Sequence, residues 1–215
     1  MFVGDIYKFV IFLRNQGQSR TYAPEEIQAA LNRAVLDKWN YEANRFEATG
    51  RVTDSMQPFK RVKDIVISGT TFDLPSAVGE RYGHYTAAAS LVGDVEHPAE
   101  YVLTDDEWGE FTRADGLLTP TNEYPVFRIQ NDKIQVLPAT VIKIRFYYLK
   151  LPEDCVIAYN VENDRPVYTD NGSVDPEFPQ YDHNALLAQT MKYLGIELRD
   201  ELLISFDKIH PLKTE

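Results

Sequence analysis

Residues 124–138, YPVFRIQNDKIQVLP, can be folded on paper without the rest of the chain. Phe127 and Ile129 alternate with Arg128 and Gln130, and Ile134 and Val136 alternate with Lys133 and Gln135. Asn131-Asp132 lies between the two runs, and both residue types tolerate the positive φ of a two-residue hairpin turn. Pairing Gln130 with Lys133 sets Ile129 opposite Ile134 and Phe127 opposite Val136, so the apolar side chains share one face. Arg128, Gln130, Lys133 and Gln135 are then left on an outer face against which a neighbour can pack. Val141 to Leu149 follows with the same period and is expected to extend the hairpin into a three-stranded meander. Ile142, Ile144, Phe146 and Tyr148 point one way, Lys143, Arg145 and Tyr147 the other.

The segments on either side change period. Asp5 to Gln16 reads as a short amphipathic helix, and Pro24 opens a second that runs to about Glu47. Glu25 and Glu26 sit near its positive end and Gly50 stops it. Period-2 patterning begins after Pro58, with short strands at 64–68 and 71–74 and a further candidate at Tyr82 to Leu91. Thr104-Asp105-Asp106-Glu107 has the form of a capping box opening a short helix with Trp108 and Phe111. Residues 160–182, NVENDRPVYTDNGSVDPEFPQYD, read as a long acidic loop. Asp182 is expected to cap a last helix from His183 to about Phe206, with Gly195 inside it.

Helices, then strands, then a helix predict an α+β fold. In this reading a bundle of the two N-terminal helices and the C-terminal one accompanies an antiparallel meander or sandwich. The divisions are 1–50 for the first helices, 60–158 for the β-rich part, 159–182 for the loop and 183–215 for the last helix and an arm, all in one composite domain.

A 215-residue chain with 44% hydrophobic residues can bury a substantial core. A formal charge of −11 argues against a free-standing nucleic-acid binder, which needs a basic face. The 13 Tyr and 11 Phe suit both a core and protein interfaces. Cys155, the one cysteine, excludes an intrachain disulfide, and the acids before it disfavour a thiolate. The apolar run Ile6 to Leu13 is too short to span a bilayer and lacks the flanks of a leader, so a soluble protein made in the cytoplasm is expected.

The chemistry-bearing residues form no familiar constellation. His84, His97, His183 and His210 are scattered without zinc spacing. Asp170 to Asp175 resembles part of a calcium loop but lacks its spacing and terminal Glu. The glycines make no phosphate loop, and Ser76 and Ser90 lack a nucleophile elbow. Asp94, Glu96 and His97 are the residues from which a hydrolytic site could be assembled. No catalytic residue, metal ligand or cofactor is assigned.

The order of segments carries a resemblance. DIYKFVIFLRNQ (5–16), YAPEEIQAALNRAVLDKWN (22–40), a strand ending FDLP (72–75), EYPVFRIQNDKIQVLP with IKIRFYYLKLPED, then NALLAQTMKYLGIELRD (184–200) follow one another. Together they are similar to the head–tail connector proteins of tailed bacteriophages, specifically the ring-forming adaptors of the tail tubular protein A type and the ring proteins of crAss-like phages. The resemblance implies a twelve-fold ring with an axial channel, helices on one side and β structure on the other, and neither enzyme activity nor cofactor. The implied partners are further copies of the chain, the portal protein, a downstream tail or ring protein, and passing DNA bound without sequence preference. It also implies residence in the virion, an acidic channel wall that lets DNA slide, and contacts through 161–182, the tyrosines of 72–91 and a terminal arm anchored by Phe206, Ile209 and Leu212. Two other classes stay open: a β-sandwich binding or decoration module with a concave aromatic cluster, and a hydrolase using Asp94, Glu96 and His97.

Overall fold

The structure is a computed structural model, and it describes residues 2–15, 22–67, 69–74, 81–93, 95–113, 119–131, 133–163 and 165–196. The class is α+β, helices with largely antiparallel sheets. Two compact units form, one from residues 59–151 and the other from residues 1–58 with 152–215.

The first unit is built of strands. β1 (Lys60–Val66), β2 (Thr71–Asp73), β3 (Tyr82–Val92), β4 (Val95–Pro98), β5 (Glu100–Tyr101), β6 (Val126–Gln130), β7 (Lys133–Leu137) and β8 (Lys143–Lys150) make two four-stranded sheets. Their orders are β1-β8-β3-β4 and β2-β7-β6-β5, with only the short β5–β6 pair parallel. The β6–β7 hairpin has the expected register, Gln130 opposite Lys133, Ile129 opposite Ile134 and Phe127 opposite Val136. Asn131 supplies its turn at φ 51°.

The meander does not form. β7 is flanked on its other side by β2, and the proline at 138 has no N–H to prolong the ladder. β8 instead crosses to the other sheet and pairs with both β1 and β3. Its alternate residues Ile144, Phe146 and Tyr148 are buried, as suits a central strand, whereas Ile142, expected to join them, is 72% exposed. Both sheets turn their apolar faces to one core. Ile65, Ala88, Ile144, Phe146 and Tyr148 come from one, Phe127, Ile134 and Val136 from the other. Tyr85 bridges them, 5.1 Å from the ring of Phe127 and 5.0 Å from that of Tyr101.

α3 (Asp105–Thr112) begins as expected, with Thr104 Oγ1 accepting from the Glu107 N–H at 3.3 Å. Its Trp108 packs with Val102 and Val126 in a second, smaller cluster.

In the other unit, α2 (Pro24–Thr49) ends as expected, Gly50 closing it at φ 65°. α1 (Phe2–Asn15) starts before the expected Asp5, because the carboxylate of distant Asp175 accepts from the Phe2 and Val3 N–H groups at 3.3 and 2.9 Å. The expected loop 159–182 contains a hairpin, β9 (Tyr159–Glu162) with β10 (Arg165–Tyr168), turned by Asn163 at φ 49°. Tyr168 lies against Gly4 of α1, and Tyr7 Oη donates to the Pro166 carbonyl at 2.7 Å.

α4 (His183–Tyr193) follows a short 3₁₀ turn, Gln180–Asp182. Asp182 makes no capping bond. It is buried and paired with Lys38 of α2 at 3.0 Å. The helix, expected to reach about Phe206, ends at Tyr193, capped at Gly195 with φ 72°, and residues 197–206 lie outside those described. Ile196 N–H donates to the Met191 carbonyl at 2.9 Å and Gly195 N–H to the Lys192 carbonyl at 3.0 Å, a Schellman cap.

Candidate functional site

The side chains expected on the outer face of the β6–β7 hairpin divide into two pairs. Arg128 lies under α3, its guanidinium 4.6 Å from the centre of the Trp108 ring, with Nη1 donating to Asp105 at 2.6 Å. Its Nε donates to Gln135 at 2.7 Å, so Arg128 and Gln135 hold the helix against the sheet. Gln130 and Lys133, on either side of the turn, are exposed. Of that face, this tip is the part open to a neighbour. Phe206, Ile209 and Leu212 lie outside the described residues.

Of the hydrolytic trio, Asp94 lies outside the described residues. Glu96 and His97 are successive on β4 and so point to opposite faces. The Glu96 carboxylate accepts from Arg145 Nη1 and, at 3.0 Å, from Tyr147 Oη. Arg145 also donates to both oxygens of Asp64, at 2.7 and 3.0 Å, and Lys143 reaches the same carboxylate at 2.9 Å. Arg145 first and Lys143 second hold the Asp64 carboxyl well below the usual carboxylate range. Asp64 and then Glu96 push the Arg145 guanidinium upward. These charges are spent on each other, a lattice laid over the outer face of the first sheet.

Cys155, Ser173, Asp175 and His183 are held in structural contacts. Cys155 is fully buried, and burial, followed by the charges of Asp175, Asp154 and Glu177, pushes its thiol up to about 12. Asn32 brackets it, its side chain accepting from the Cys155 N–H at 2.7 Å and donating to the Cys155 carbonyl at 3.2 Å. The calcium-like segment ends in Asp175, the cap of α1, while Ser173 Oγ donates to the Thr169 carbonyl and accepts from the Ala158 N–H. His183 stacks on Phe2 at 4.1 Å and bonds through Nε2 to the Phe178 carbonyl, and burial lowers its pKa. Among the described residues no group of three or more His, Cys, Asp or Glu converges as a metal site, and no helix is long and apolar enough to cross a membrane.

What the β unit does present is apolar surface at one end of its first sheet. Val92 pairs with Val95, and Ile142 accepts from the Ile67 N–H at 2.7 Å. The β3–β8 pairing ends at Ser90 opposite Ile144, and Ile142 precedes β8. Ile142, Val92 of β3 and Val95 of β4 therefore line the same end of the sheet, exposed by 72, 43 and 57%. Alternation alone placed Ile142 in the core. The grouping is visible only when the strands are set side by side in the sheet, so no single segment announces it. Compared with models of known protein families and with curated proteins, the chain matches none.

Proposed function

We propose that the protein is a structural component of a bacteriophage virion, a ring subunit of the head–tail connector between portal and tail. In this reading copies of the chain surround a channel for DNA. The observation that carries the proposal is the exposure of Ile142, Val92 and Val95 at one end of the first sheet. Apolar side chains gathered at one end of a sheet suit a contact with another protein. A surface held by a strand ladder is suited to heterologous contacts, which close into a ring only when their geometry is constant. The order of sequence segments points to the family, and the bonds of Glu96 to Arg145 and Tyr147 weigh against the hydrolase.

The binding-module reading is less well supported. Such a module needs a concave aromatic cluster, and Tyr85, Tyr101 and Tyr148 pack in the core between the sheets while Tyr124 is exposed. Quantitative peptide mass spectrometry on purified virions tests the proposal. A copy number near that of the portal protein is expected, absence from the particle overturns the structural role, and a large excess indicates a decoration module.

A further inference from the structure

No further inference is drawn: the strongest candidate, the groove of about 300 Å³ between α2 and α4 lined by Ala34, Lys38, Tyr41, Ala185, Leu186 and Gln189, is an open helix–helix surface, and nothing in the structure shows what covers it.

Discussion

Arg145 stands opposite Asp64 on β1 and Ala89 on β3. The small alanine leaves room for the guanidinium to pass over β3 and reach Glu96 on β4, so one side chain ties β8 to both β1 and β4. Such exposed ion pairs are weak and screened by salt unless they form a network. Asp64 has a folded-state pKa below its ordinary 3.8, so its contribution is complete above about pH 4 and is lost as pH falls through the depressed value. The stability gap between wild type and Asp64→Asn in urea titrations is therefore expected to be constant from pH 5 to 8, to narrow below pH 4, and to shrink in molar salt. A gap that does not narrow between pH 5 and pH 2 rules out the charge network as its source. His183 has the same direction of dependence in a higher window. Its neutral ring is favoured in the fold, so the unfolded chain takes up its proton first as pH drops below about 6.5, and stability falls through that window. Asp5, Asp175 and Asp182 face the ring and moderate the effect. His183→Gln is expected to flatten the loss between pH 7 and 5 in the same titration.

At the level of elements, the main determinants are contacts between residues far apart in sequence. Asp175 satisfies two N–H groups of α1 from more than 170 positions away. Asp175→Ala is expected to cost about 1 kcal/mol, the usual worth of a cap, and to speed hydrogen exchange in the first turn of α1 while leaving α2 unchanged. Asp175→Asn, which keeps an acceptor, recovers most of the loss. Gly4 is a notch as much as a helix residue, since a Cβ there would lie 2.7 Å from the Tyr168 ring. Gly4→Ala alone gains about 1 kcal/mol of helix propensity. It is nonetheless expected to lower stability, and pairing it with Tyr168→Ala is expected to restore the gain. A stabilised single variant means that Tyr168 can swing aside.

These cases mark what was legible in the sequence. The β6–β7 hairpin, the ends of α2 and the Thr104 cap depend on neighbours within a few residues, and period and turn chemistry reveal them. β9–β10 used the same device, Asn163-Asp164 between Glu162 and Arg165, but its strands are exposed and lack the apolar alternation that makes a strand visible. The placement of β8, the partner of Asp182 and the cap of α1 are tertiary facts with no local signature. Gly195 had such a signature, and it was misread because apolar spacing continues past it into residues outside those described.

For the whole molecule, the question is whether the apolar end of the first sheet is covered by a neighbour. Ile142 contributes little to the core at 72% exposure, so Ile142→Asp is expected to leave the melting temperature of the isolated protein within about 2 °C, as surface changes generally do. If that end is a subunit contact, the same change buries an unpaired carboxylate there and weakens association by tenfold or more, about 1.4 kcal/mol or above. In virions assembled with Ile142→Asp as the sole copy, the ratio of this protein to the portal protein is then expected to fall by at least tenfold. Val95→Asp, at the same end of the sheet, should behave alike, and Lys133→Glu at the hairpin tip reports whether that tip adds to the contact. Dilute solution is the wrong place to look, because ring subunits commonly assemble only on their template. Undiminished incorporation of an Ile142→Asp, Val95→Asp double variant with an unchanged melting temperature removes that end of the sheet from any interface. The connector reading would then need a different contact surface.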